Sequence, residues 1–256
     1  MRVATWNVNS IRARAAQVIA WTARNDVDVV LLQETKCTDD DFPFAAFSAA
    51  GYDVAHHGVD HWNGVAIVSR IGLADVTRGF TGHQRSPFDE ARVMAATCGG
   101  VRLWSLYVPN GRELDDPHYR FKLVWLERLR AELAAAGAAD GASIVAGDFN
   151  VAPTDLDIYD PQRWRRRTHA SAEERSGIQH LVDLGLRDVT REHHPDPDVY
   201  TWWSYRPGQF EHNRGLRIDY ALCSPSVADR VQSVTIDRDA RAADRPSDHA
   251  PVVLDL

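Results

Sequence analysis

A chain of 256 residues, 44% hydrophobic and 25% charged, has the length and balance of one soluble α/β domain. No apolar run approaches the roughly 18 residues a membrane helix needs. The start, MRVATWNVNSIRAR, lacks the apolar core and cleavage site of a secretory signal, so a cytoplasmic protein with no membrane partner is expected. The formal net charge of −7 weighs mildly against a nucleic-acid partner, unless the carboxylates hold metal and the arginines gather on one face.

In chain order, Val3–Val8 predicts a strand, Ile11 to Arg24 a helix and Val27–Leu32 a second strand. Strands follow at Val65–Ser69, Val93–Thr97 and Val101–Val108, the last two turning at Gly99-Gly100. From His118 to Ala136 a helix is predicted by Phe121, Trp125, Leu129 and Leu133, with Asp116-Pro117 as N-cap and first-turn proline. Ala142–Ala146 reads as a strand and Ala172 to Leu184 as a third helix, with Gly137 and Gly185 as helix stops. Ile218–Cys223, Val231–Ile236 and Pro251–Leu256 complete the strands. Hairpin-linked strands alternating with helix-separated ones imply mixed sheets covered by helices. No linker, low-complexity tract or repeat divides residues 1–256, so one domain is expected.

Cys37, Cys98 and Cys223 are odd in number and far apart, which argues for packing residues in a reducing cytoplasm rather than disulfides or structural zinc. The pairs His56-His57 and His193-His194 lack ligand spacing and read as solvated loop residues. All basic residues except Lys36 and Lys122 are arginine, a bias that base composition explains as well as phosphate binding does.

Polar residues recur beside the strands. Asn7 and Glu34 follow the first two; Tyr107, Asn110 and Arg112 close Val101–Val108; Asp148 and Asn150 follow Ala142–Ala146; Asp219 interrupts Arg217–Leu222; and Ser247-Asp248-His249 precedes the last strand. Singly, such residues cap turns. Together they make a set that phosphodiester hydrolysis can use. Glu34 and Asp248, with a neutral oxygen from Asn7, suit a hard divalent cation. Asp148 suits a base for water. His249, Asn150 and Tyr107 can donate to charge growing on phosphate, with Asp219 orienting the histidine.

The segments LQETK (Leu32–Lys36), GDFN (Gly147–Asn150), PTDLD (Pro153–Asp157), NRGLRIDY (Asn213–Tyr220) and PSDHAPV (Pro246–Val252) resemble the exonuclease III family of apurinic/apyrimidinic endonucleases. This family belongs to the larger endonuclease–exonuclease–phosphatase fold. WNVNSIR (Trp6–Arg12) and YVPNG (Tyr107–Gly111) match as well, and the motifs keep the family's order along essentially the whole chain. The resemblance implies a four-layer α/β sandwich of two mixed sheets packed face to face. It implies a Mg²⁺-dependent enzyme, with Mn²⁺ as a substitute, that acts on double-stranded DNA. A monomer is expected. The expected reaction is cleavage 5′ to abasic sites, together with digestion and cleaning of 3′ ends.

It also implies roles: Glu34 as principal metal ligand near Asn7 and Asp248, Asp148 at the water, Asn150, His249 and Tyr107 at the scissile phosphate, and Asp219 behind the histidine. Two departures stand out. Asn9 occupies a position where animal members have aspartate, and Asn110, which faces DNA in the family, replaces the glutamine of some bacterial members. Lys36 and Arg92 resemble DNA-backbone contacts, with Arg12 and Arg14 as further candidates. Arg112 is the candidate for insertion near the lesion, and Trp202 and Trp203 border the lesion pocket in relatives. Of these two, one is expected in the core and the other on the DNA. The cluster Arg163-Trp164-Arg165-Arg166-Arg167 is either a DNA contact or a solvated loop. Two rival functions keep the fold: a phosphoesterase for inositol phosphates or phospholipids, and a DNA-binding module that has lost catalysis.

Overall fold

A computed structural model describes residues 1–82 and 89–256. The strands are β1 (Arg2–Asn7), β2 (Val29–Gln33), β3 (Asp53–His57), β4 (Val65–Ser69), β5 (Ala74–Arg78) and β6 (Val93–Cys98). They continue with β7 (Val101–Tyr107), β8 (Ser143–Asp148), β9 (Arg187–Asp188), β10 (Asp219–Cys223), β11 (Ser233–Ile236) and β12 (Val252–Asp255). They form two six-stranded sheets, ordered β11-β12-β1-β2-β4-β3 and β5-β6-β7-β8-β10-β9. Each sheet is mixed, because one pair in each is parallel: β1 with β2, and β7 with β8. Parallel neighbours need a crossover, and the helices Ile11–Arg24 and Pro117–Ala135 supply the two.

Strands buried on both faces read as unbroken apolar runs rather than as alternation, and β2, β4 and β8 are buried along their whole length. One face of each sheet meets the other sheet, through Val3, Leu31, Ile67, Met94, Leu103 and Ile144. The other face meets helices. Trp6, Val30 and Leu32 pack on Val18 and Trp21 of the first helix, and Trp104, Leu106 and Val145 pack on Trp125, Leu129 and Ile178. Each large apolar side chain buried this way contributes about 1.5–3 kcal/mol. The result is helix, sheet, sheet, helix, as the resemblance implied.

Three strands were not legible. β5 is almost wholly exposed, β9 has two residues, and β3 ends in the two histidines. The reading of His56-His57 as solvated loop residues is therefore corrected. His56 is a buried strand residue, its Nδ1 2.8 Å from Asp39 and its Nε2 2.8 Å from Thr35 Oγ1. Burial lowers its pKa to about 4 despite Asp39 beside it. His193 is exposed at the end of the short helix Val189–His193, but His194 packs its Nε2 2.8 Å from the Val234 carbonyl.

Candidate active site

The register of the sheets brings one rim of each together. Asn7 at the end of β1 stands beside Gln33 at the end of β2, and Tyr107 at the end of β7 beside Asp148 at the end of β8. Asp219 opens the antiparallel β10 directly opposite Asp148, and the segment preceding β12 brings Asp248 and His249 to the same edge. The chain leaves these strands through left-handed backbone: Glu34 and Asn150 both have φ of 51°, Lys36 has 52° and Asn9 has 43°. Asparagine tolerates this region, whereas for glutamate and lysine it stores roughly 1–3 kcal/mol, strain of a kind that concentrates at functional sites. Gly147 of GDFN answers a different need. A Cβ there would lie 2.0 Å from the Leu106 carbonyl, so only glycine lets β7 and β8 close up next to Asp148.

Asp148 lies at the centre of the site. Its Oδ2 accepts from Asn7 Nδ2 at 2.9 Å and Asn150 Nδ2 at 3.2 Å, and its Oδ1 from the Asn150 backbone at 2.9 Å. Complete burial raises its pKa to about 7, with the Asp219 and Glu34 charges adding to the effect and the nearby His249 opposing it. His249 turns Nδ1 to Asp219, 2.8 Å away, and Nε2 toward Asp148 at 3.8 Å. Burial opposes its protonation, but the Asp219 and Asp148 charges and the Asp219 hydrogen bond outweigh this and raise its pKa to about 10. Asp219 is itself fixed by Thr201 Oγ1 at 2.7 Å. The ring at neutral pH is thus a protonated donor held at a set angle.

Glu34 receives Asn7 Nδ2 at 2.8 Å and lies 2.7 Å from Lys36 Nζ. Tyr107 is buried, and that burial, with the Glu34 charge, keeps its phenol protonated well above the usual range. Glu34, Asp148 and His249 bring one potential ligand atom each within 4.8 Å of one another. Asp248 is not one of these three. Its two oxygens accept from Asn9 Nδ2 and Trp202 Nε1, both at 3.0 Å, and burial fails to raise its pKa because His249 and these donors hold it low. The Asn7 amide donates from its NH₂ to the two carboxylates, and its oxygen accepts from the Asn9 backbone N–H at 3.0 Å.

The expected DNA contacts divide. Lys36 points inward, between Glu34 and Asn9 Oδ1 at 2.5 Å. Arg92 is buried, stacked 4.6 Å over the Tyr107 ring and paired with Glu90. Arg14 braces the loop carbonyls of Val8, Asn9 and Pro246. Asn110 and Arg112 are exposed beside the centre, Asn110 reaching Asn150 Oδ1 at 3.3 Å and the Arg112 side chain 60% exposed. Trp203 is wholly buried, while Trp202 is half-buried with its indole on Asp248.

Sequence reasoning missed His169. It is buried, in left-handed backbone at φ 79°, with Nε2 3.1 Å from Asn150 Oδ1. Lys122 was also missed: its ammonium donates to the Asn150 carbonyl at 2.6 Å and sits 2.5 Å from Glu174. Neither carries a motif, since their partners lie 19 and 28 residues away along the chain.

The profile of the endonuclease/exonuclease/phosphatase family matches residues 4–249. The chain belongs to this family. Exodeoxyribonuclease III of Haemophilus influenzae is 33% identical over 98% of both chains. Among solved structures, the Neisseria 3′ phosphatase NExo bound to a product DNA hairpin is 41% identical, with a TM-score of 0.96 over 100% of this chain and 99% of that one. An AP endonuclease from Archaeoglobus fulgidus is 36% identical with the same TM-score and coverage. The exonuclease III resemblance is borne out along the full length, and the two mixed sheets are those of these family structures.

Proposed function

We propose that this chain, a DNA repair nuclease by its relatives, hydrolyses phosphodiester bonds in duplex DNA, both 5′ to abasic sites and at 3′ ends. The observation that carries the reading is the pairing of a buried carboxylate poised near neutrality with a buried, protonated histidine 3.8 Å away. General-base and charge-stabilising groups need those opposite states at one pH.

The carboxylate oxygens around the centre fit a hard divalent cation, with Glu34 as principal holder and Asp148 beside it. Asn7, expected to add a neutral oxygen, instead orients both carboxylates through its NH₂. Asp248 adds charge from its place beside Asn9 and Trp202. Mg²⁺ is the proposed ion and Mn²⁺ a substitute; when bound, it supplies Lewis-acid charge to the phosphate. Asp148, oriented by Asn7 and Asn150, takes the proton of the attacking water. His249 gives its Nε2–H to the oxygen that gathers charge, Asp219 holding the ring. Asn150 and the Tyr107 phenol donate to the remaining oxygens. Asn110, Arg112 and Trp202 stand where DNA would lie, while Lys36 and Arg92 act by setting Glu34 and Tyr107. Residues 1–256 work as one catalytic domain, as a monomer in the cytoplasm. Among the described residues no helix is long and apolar enough to cross a membrane.

One observation favours a second reading, in which 3′-end hydrolysis is the main activity: the relative at 41% identity is named a 3′ phosphatase. Initial rates decide between them, on one duplex with an internal abasic site and on another, undamaged, with a recessed 3′ end, each with Mg²⁺ and with EDTA. Metal-dependent nicking of the abasic duplex supports the first reading and digestion without nicking the second. If neither duplex is cut, the nuclease assignment fails.

A further inference from the structure

One buried polar cluster that takes no direct part in the catalytic centre lies behind the Glu34–Thr35–Lys36 turn, where the loop after β2 meets the end of β3. His56 is 1% exposed there, and its ring lies 4.4 Å from that of Phe42. Its Nδ1 is 2.8 Å from Asp39 Oδ1, and the same oxygen accepts from the Gly58 backbone N–H at 2.9 Å. Burial keeps the ring neutral at physiological pH, and a carboxylate at Nδ1 keeps the single proton on that nitrogen. Nε2 is then bare, so Thr35 Oγ1, 2.8 Å away, donates to it. A polar ring buried against aromatic side chains costs free energy that an apolar residue would not, so its use lies in the bonds it makes.

Thr35 is where this cluster touches the catalytic segment. It stands between two residues in left-handed backbone, Glu34 at φ 51° and Lys36 at φ 52°. Such strain persists where the surroundings over-determine it. Backbone ties do part of this: Ser10 N–H to the Glu34 carbonyl at 2.7 Å, Ile11 N–H to the Thr35 carbonyl at 3.0 Å, and Lys36 N–H to the Asn63 carbonyl at 2.8 Å. His56 adds a side-chain tie from behind the turn. A Cβ on Gly64 would lie 2.0 Å from Thr35 Oγ1, so a glycine leaves room for the hydroxyl to reach the histidine. Asn7 and Lys36 set the end of the Glu34 side chain, and Thr35 sets the backbone that carries it.

We propose that His56, oriented by Asp39, is a positioning residue for the metal-holding segment: through the Thr35 hydroxyl it keeps the Glu34 turn in the left-handed conformation that sets the carboxylate in the site. This rests on the reading of Glu34 as principal holder of the cation. Wholly buried behind the turn, His56 acts on the cation through Thr35 and Glu34. Its loss is therefore felt in metal affinity before it is felt in the chemical step.

The test measures Mn²⁺ binding without DNA, from the loss of the free-ion EPR signal, in the native chain, Thr35→Val, Thr35→Ser, His56→Ala and the double variant of Thr35→Val with His56→Ala. Thr35→Val keeps the shape of the side chain and deletes the hydroxyl, whereas Thr35→Ser keeps the hydroxyl. Expected is a rise of about tenfold in the Mn²⁺ dissociation constant for Thr35→Val and for His56→Ala. The double variant should rise no further, because both changes break one link, and Thr35→Ser should bind nearly as the native chain does. The Mg²⁺ concentration for half-maximal cleavage should rise in the same proportion, with kcat at saturating Mg²⁺ kept within a few-fold. A merely structural loss would lower stability without sorting the variants by their hydroxyl. Thr35→Val against Thr35→Ser decides the matter even if His56→Ala fails to fold. Thr35→Val that binds Mn²⁺ as tightly as the native chain, or losses that add in the double variant, overturn the positioning role alone. A native chain that binds no Mn²⁺ overturns the metal-holding role of Glu34 as well.

Discussion

Two clusters of buried charge within the same fold are composed differently. In one, Arg217 Nε lies 2.5 Å from Asp157 and its Nη1 2.8 Å from Asp188, while Arg191 closes on Asp157 from the other side. Two carboxylates face two guanidinium groups. Burial opposes ionisation of Asp157, yet Arg217 and Arg191 bring its pKa below the usual range. In the other, Glu34, Asp148, Asp219 and Asp248 share, among the described residues, only Lys36 and a protonated His249, and Asp148 is raised to about 7. The first cluster is electrically closed and the second is short of positive charge. Burial of charge is thus no sign of function by itself; burial left uncompensated is, because it marks where a cation and a substrate belong.

The largest effects come from reversing these two balances. Asp148→Asn removes the water-activating carboxylate, so turnover on abasic duplex should fall by about 10³-fold or more. The same change relieves the metal-free protein, which should gain about 1–2 kcal/mol in urea unfolding with EDTA. An Asp148→Asn protein less stable than the native one would mean that the site is not short of positive charge. Arg217→Ala does the opposite. It strands Asp157 and Asp188 and should destabilise by about 3–5 kcal/mol, while the folded protein keeps kcat within a few-fold. A loss under 1 kcal/mol would show that the closed cluster stabilises nothing.

The motif order makes this contrast half legible in the sequence. Glu34, Asp148, Asp219 and His249 stood out as polar residues set against apolar strands, but sheet order and register, which periodicity does not encode, decide which strand ends meet. PTDLD and NRGLRIDY were recognisable as motifs, but nothing in one dimension shows that Asp157 and Arg217 bond to each other across 60 residues. Asp248 was read as a metal ligand from its carboxylate and from the resemblance; its oxygens accept from Asn9 and Trp202, contacts that sequence alone does not show. Lys36 and Arg92 were read as facing DNA. Their direction depends on a left-handed backbone at Lys36 and on stacking over Tyr107, neither of which composition encodes. β5 escaped notice because an exposed edge strand carries no apolar signal.

A third cluster joins the other two kinds. Lys122 and Glu174 form a closed, buried pair, yet Lys122 also holds the Asn150 carbonyl of the open site. Burial opposes the Glu174 charge, but the Lys122 ammonium and hydrogen bonds from Lys122, His169 and Ser171 outweigh it and lower the pKa to about 2 from 4.5. A depressed carboxylate stabilises fully above its unfolded pKa, and that contribution is lost as pH falls from about 4.5 toward about 2. At most about 3 kcal/mol is at stake. In urea unfolding across this range, the stability gap between the native chain and Glu174→Gln should shrink as pH drops. A constant gap would mean the pair does not titrate as a closed unit.

The smallest expected effect probes the edge of the open cluster. Trp202→Phe keeps an aromatic ring but deletes the indole N–H that reaches Asp248 at 3.0 Å. Asp248 would keep Asn9, so the loss should be that of one hydrogen bond to a charged group, about 1.5 kcal/mol. If the open cluster works through its summed negative charge, a less constrained Asp248 changes little but its position. The kcat on abasic duplex should then fall about tenfold at saturating Mg²⁺, with the Mg²⁺ concentration for half-activity nearly unchanged. A large rise in that concentration with kcat preserved would instead place Asp248 directly on the cation, and would shift the open site's metal-holding role from the Glu34–Asp148 side to the Asp248–Trp202 side.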